Sequence, residues 1–194
     1  WTYSIEAIWS GLQDCYADLR SNVKNLYGIE IENLAAIGVS AMMHGYMPFN
    51  AKEEILVPFR TWRNTNTGRA AAALSDLFVY NIPLRWSISH LYQAILDNEA
   101  HVKDIDFLTT LAGYVHWQLT GEKVLGIGDA SGMLPIDPTT HNYSAEMVAK
   151  FDKLIAPNQY NWTLQDILPK VLSAGESAGV LTPEGSKKLD ASGH

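Results

Sequence analysis

Three short stretches carry the side chains best suited to holding a small polar ligand. In Met42-Met43-His44-Gly45-Tyr46, the imidazole and nearby main chain offer hydrogen bonds to hydroxyl groups, and a methionine offers an apolar wall. The glycine lets the backbone approach a ligand closely. In Thr61-Trp62-Arg63-Asn64-Thr65-Asn66, an indole face suits the C–H face of a sugar ring, while Asn and Arg supply hydroxyl partners. Trp86-Ser87-Ile88-Ser89-His90 again sets an aromatic ring beside short hydroxyls. Each stretch also has a plain packing explanation. The first suits a methionine-lined core with one satisfied histidine, and the second a strand end with Trp62 buried. The third suits a helix start capped by Ser87 or Ser89.

Other patterns fail on spacing. Gly38-Val39-Ser40-Ala41-Met42 comes near the G-x-S-x-G of a nucleophile elbow, but Met42 stands where the sharp turn needs glycine, so Ser40 reads as a strand residue. Gly126-Ile127-Gly128-Asp129-Ala130-Ser131-Gly132 resembles a phosphate loop. Its third glycine falls one place late for G-x-G-x-x-G, and neither a leading strand nor a following helix is evident. No G-x-x-x-x-G-K-[ST] occurs, so a nucleotide cradle within the chain is not expected. The six histidines (44, 90, 101, 116, 141 and 194) form no H-E-x-x-H, and one cysteine builds no zinc cluster, so no metal site is expected. His116 reads as a packing residue of a helix and His101 as a solvated loop residue.

The elements that must position these residues follow from apolar spacing. Ile5, Ile8, Trp9, Leu12, Tyr16, Leu19, Val23 and Leu26 recur every three or four residues, predicting a helix over 1–26 with Gly28 as its stop. Short apolar runs predict strands at Leu34–Ser40, at about Tyr46–Phe49, and from Ile55 through Val57, the last two separated by the polar turn Asn50–Glu54. Helices are predicted over Gly68–Tyr80, Ser89–Asn98, Asp104–Thr120 (closed by Gly121), near Ser144–Lys153, and briefly at Pro183–Leu189. Glu122–Pro138 reads as glycine-rich and then extended, and Glu176–Leu181 as a short strand. The ligand-suited stretches thus fall at strand ends, where open α/β sheets carry ligands. The fold class is α/β, with a sheet short of partners.

Composition narrows the function classes. The 194 residues suffice for one domain, with 47% hydrophobic and 18% charged residues as in soluble globular proteins. A net charge of −7 argues against a nucleic-acid surface and fits a small, nearly neutral substrate. Cys15 alone forms no intrachain disulfide, which points to a reducing compartment. Asn142-Tyr143-Ser144 and Asn161-Trp162-Thr163 match the glycosylation triplet, which has no meaning without secretion. No apolar run is long enough for a membrane span and no signal peptide is evident, so the cytoplasm is the expected location. The chain opens at Trp1 in mid-pattern, and is expected to be part of something longer.

In order, the stretches resemble the N-terminal domain of the FGGY carbohydrate kinases. Ile37-Gly38-Val39-Ser40-Ala41-Met42-Met43-His44-Gly45 is similar to that family's first pocket loop, and xylulose kinases carry a close M-H-G. Pro58-Phe59-Arg60-Thr61-Trp62-Arg63-Asn64 resembles the strand that delivers a tryptophan. Leu119-Thr120-Gly121-Glu122, then Gly128-Asp129-Ala130-Ser131-Gly132-Met133 (similar to S-D-A-S-G-T), and Leu134-Pro135-Ile136-Asp137 follow in family order. The match holds over roughly 1–140 and more faintly to 190.

The resemblance implies a ribonuclease H-like, actin-like two-domain kinase closing over sugar and ATP. A carboxylate acts as base and magnesium neutralises the phosphates, in line with a reaction governed by positioning and electrostatics. It implies that residues 1–194 are a partial sugar-binding domain. The opening strand and loop, the glycine–aspartate motif of the base and the nucleotide domain would lie outside it. Carried over residue by residue, Met43, His44, Trp62 and Asn64 are the implied sugar contacts, followed by Trp86 and Asp129. No catalytic residue is assigned, and ATP and magnesium belong to the longer parent, with none bound by this stretch alone. Asn64 and Asn66 stand where many relatives have Asp and Arg, which leaves the sugar open. A ketopentose such as xylulose is the first expectation, with other ketoses or polyols next. Two other readings remain: a non-catalytic sugar-binding or scaffolding module, and a different small-molecule enzyme using the Met43-His44-Gly45 loop. A sheet lacking strands would expose its edges and invite self-association.

Overall fold

A computed structural model describes residues 1–192. Helix α1, Ile5–Tyr27, starts where the Ser4 hydroxyl accepts the Ala7 N–H (3.0 Å) and stops at Gly28, whose φ of 68° is left-handed. Strand β1, Met47–Phe49, follows, then α2, Gly68–Phe78, and α3, Ser87–Leu96. After a 3₁₀ turn at Ala100–Asp104 come β2, Phe107–Thr109, and α4, Leu111–Thr120. Next are β3, Val124–Gly126, the single-turn α5, Ile127–Ala130, β4, Ile136–Asp137, and β5, Asn142–Tyr143. Helix α6, Ala145–Ile155, a short α7, Leu164–Ile167, β6, Lys170–Leu172, and α8, Pro183–Leu189, complete the order.

The strands pair in twos. β1 runs antiparallel to β2 with Met47 opposite Thr109, β3 parallel to β6 with Val124 opposite Lys170, and β4 antiparallel to β5 with Ile136 opposite Tyr143. Two apolar clusters hold the elements. One gathers Leu74 and Phe78 of α2, Leu91 and Ile95 of α3, Phe151 of α6 and Leu164 of α7. The other joins Trp9 of α1 to Phe49, Phe107, Tyr114 and Trp117, in a set of edge-on and stacked rings. Trp9 Nε1–H also donates to the Tyr114 hydroxyl (3.1 Å). The far half of α1's apolar stripe is bare, with Leu19 49% and Leu26 73% exposed.

Several expectations change. Residues 34–40 form no strand and pair with none among the described residues, and Leu34 and Ile37 are exposed; a strand needs a neighbour to take its N–H and C=O groups. Ile55–Val57 forms no ladder strand and returns past β1 through isolated bridges, Phe49 to Ile55 and Tyr46 to Arg60. The single helix expected over 104–120 is a 3₁₀ turn, a strand and a helix. Its apolar run fits either period, and the Thr110 hydroxyl, accepting the Gly113 N–H (3.2 Å), sets the later start. Residues 176–181 form no strand, whereas Lys170–Leu172 does. His101 is not a solvated loop residue. Its side chain is 8% exposed and its Nε2 pairs with the Tyr46 hydroxyl at 2.9 Å. His194 lies outside the described residues. Among the described residues, no helix is long and apolar enough to cross a membrane.

Candidate functional site

Two loops converge on the start of α3. The Met43-His44-Gly45 loop leads into β1, the Gly128–Gly132 turn follows β3, and α3 begins at Ser87 between them. Gly45 has φ of 116°, and a Cβ there would meet Arg60 O at 2.6 Å, so only glycine fits. Gly132 is equally constrained, since a Cβ would lie 2.5 Å from Met43 O and 2.6 Å from His44 Nδ1. That glycine lets two loops of the chain approach closely. A strand does lead into this turn, which the spacing alone had not indicated, but the one-turn helix Ile127–Ala130 lies within the glycine-rich stretch and no helix follows it.

These contacts fix His44. Its Nδ1 lies 3.3 Å from Gly132 O. A carbonyl only accepts, so Nδ1–H donates and the neutral ring keeps Nε2 as an acceptor. Burial lowers the His44 pKa, the Gly132 bond works against that, the Arg85 charge lowers it further and Asp129 opposes. The ring is therefore neutral near pH 7. Asp129, half-buried on α5, has its pKa raised by burial, with His44 pulling the other way.

His44 opens onto a cleft of about 680 Å³ lined by Met42, Met43, Trp62, Thr65, Leu84 and Arg85 among others. Met43 and His44 from one stretch and Trp62 from another thus share one cavity. Trp62 is 45% exposed, not a core residue, and the Arg63 guanidinium covers its ring at 5.1 Å. Asp129 faces His44 electrostatically without lining the cleft. Asn64 is not part of the lining. Its Oδ1 accepts from the Trp1 nitrogen (3.1 Å) and its Nδ2 donates to Trp1 O (2.8 Å). Trp86 packs against the core and Tyr80, with ring centroids 6.4 Å apart. Ser87 and Ser89 do not cap α3. Their hydroxyls donate to Gly45 O (2.6 Å) and Pro83 O (2.9 Å).

Arg85 was not anticipated as a lining residue, and Thr65 only as a member of the Thr61–Asn66 stretch. The one signal for Arg85 was its position in Pro83-Leu84-Arg85-Trp86, just ahead of a helix start. As a cleft, the arrangement offers a hydrogen-bond acceptor, a guanidinium and a broad aromatic face, the equipment for a polyhydroxylated ligand. Among the described residues, no three His, Cys, Asp or Glu side chains converge to hold a cation. The cleft lining also carries no carboxylate, the ligand that magnesium takes from a protein, so the residues present do not fit that ion.

The sequence matches the FGGY family of carbohydrate kinases, N-terminal domain, over residues 2–192. It is 24% identical to the xylulose kinase of Haemophilus influenzae over 197 residues, covering 93% of this chain and 36% of that one. Among solved structures it resembles the xylulose kinase of Rhodospirillum rubrum (TM-score 0.74, 16% identity, 97% of this chain and 38% of that one). It also resembles the gluconate kinase of Lactobacillus acidophilus (TM-score 0.74, 17% identity, 97% and 37%). This chain spans about a third of the length of these relatives. The likeness gives it the ribonuclease H-like, actin-like fold.

Proposed function

This chain belongs to the FGGY family of carbohydrate kinases, and we propose that the protein carrying it phosphorylates a ketose, xylulose or a related pentulose first, with ATP. Residues 1–194 are then a partial sugar-binding domain, inactive alone, while the base, magnesium and nucleotide are held by other parts of the protein. Supporting this is one observation above the others: His44 and Trp62, 18 positions apart in sequence, line the same cleft. The curated relative it matches is named a xylulose kinase, as are several of the structural neighbours.

In this reading the chain's own residues bind and orient. The indole of Trp62 takes an apolar face of the sugar, Met43 forms a wall, and His44 Nε2 accepts a hydrogen bond from one hydroxyl. Arg85 donates to a sugar oxygen, and Asp129 stands behind His44. Asn64 and Trp86 act by holding the surrounding loops. Such positioning is what phosphoryl transfer asks of a protein, because there is little covalent chemistry for it to perform. The test is a panel of ketoses, polyols and aldonates assayed with the intact protein, ATP and magnesium. Turnover of a pentulose above the others is expected; no turnover of any sugar sinks the reading.

A further inference from the structure

Ser87 is wholly buried, yet both its polar groups reach the loops that frame His44. Its hydroxyl donates to Gly45 O at 2.6 Å, directly after the histidine. Its N–H donates at 3.4 Å to Gly132 O, the same oxygen that accepts His44 Nδ1–H. The next residue, Ile88, adds an N–H to Met133 O at 3.1 Å. The first turn of α3 therefore spends its free N–H groups, which a helix start always has to spare, on the turn that sits against the histidine. Gly132 leaves no room for a side chain on that side, where a Cβ would lie 2.5 Å from Met43 O and 2.6 Å from His44 Nδ1.

We infer that Ser87 is a positioning residue for His44: it clamps the carbonyls of Gly45 and Gly132, so that the imidazole holds its proton on Nδ1 and presents Nε2 as the ring's acceptor. Its meaning for sugar binding rests on the function proposed above, but the tautomer does not. The hydroxyl is required as a donor, so threonine replaces it and alanine does not. Without it Gly45 O loses its partner, the loop moves off Gly132, and the ring is free to take either tautomer.

The experiment is nitrogen NMR on the intact protein labelled with ¹⁵N-histidine at pH 8, with the His44 signals identified by their loss in His44→Gln. Wild type and Ser87→Thr are expected to show the Nδ1–H form, and Ser87→Ala a mixture with Nε2–H. Ser89→Ala, which removes a comparable bond to Pro83 O, is expected to leave His44 unchanged. In kinase assays S87A is expected to raise the sugar KM roughly two- to tenfold with the nucleotide KM unmoved. An Nε2–H signal in wild type, an unaltered His44 in S87A, or an equal shift in S89A overturns the inference. Should S87A not fold, Ser87→Cys, nearly isosteric and a poorer donor, is expected to give a partial shift, and its absence overturns the inference likewise. A wild type showing the Nδ1–H form but turning over no sugar sinks the kinase reading alone.

Discussion

Trp62 lines the cleft, is 45% exposed and belongs to neither apolar cluster, so its removal takes away ligand contact and little core. Trp62→Ala is expected to weaken sugar binding by about 1–3 kcal/mol by calorimetry, while the melting temperature moves little. Equal losses of binding and stability would mean that the ring is structural. Arg85 sits in the same cleft and its charge helps depress the His44 pKa, after burial as the larger cause. Arg85→Ala is therefore expected to raise the His44 titration midpoint by NMR; a fall would contradict the geometry. Residue type pointed to Met43, His44 and Trp62 because an imidazole, a thioether and an indole at loop ends are suited to a polar ring. Nothing in the sequence showed that the Asn64 amide is taken up by Trp1, 63 positions away, or that Gly132 packs on His44. Those are long-range contacts.

At the scale of elements, α3 couples the cleft to the core. His90 lies 1% exposed on it, stacked on Tyr46 at 6.3 Å, with its Nε2 unpartnered; burial first, and the Arg60 charge second, push its pKa to about 4. Between pH 6.5 and 4 the unfolded chain binds the proton and the folded chain does not, so acidification costs stability, about 3 kcal/mol at most from this residue. Thermal melts over that range are expected to show a falling midpoint, with a shallower slope in His90→Gln; an unchanged slope would remove His90 from the account. Helices were legible wherever a cap and a period agreed. Ser4 and Thr182 cap α1 and α8, and Ser144 caps α6, each accepting an N–H from the first turn. Strands of two or three residues leave too little period to read, and at 34–40 an apolar run alone did not supply a pairing partner. Leu34 and Ile37 stay exposed, so residues 1–194 expressed alone are expected to self-associate in light scattering, and Ile37→Lys to reduce it. A monomer at all concentrations would argue against that.

For the molecule as a whole, net charge of −7 and a cleft with one guanidinium suit a small polyhydroxylated ligand better than a polyanion. The fold class was legible because motif order carried it: the M-H-G loop, the tryptophan strand and the G-D-A-S-G turn occur in the order that the resemblance rested on, and the family matches over 2–192. The sugar was less legible, since specificity is set by which side chains converge and this chain is about a third of its relatives' length. The central claim is that loops distant in sequence form one sugar pocket, and a crystal structure of the intact protein with xylulose tests it most directly. The account predicts the ketose lying against the Trp62 ring with a hydroxyl within hydrogen-bonding distance of His44 Nε2. A ketose bound elsewhere, with this cleft empty, would contradict it.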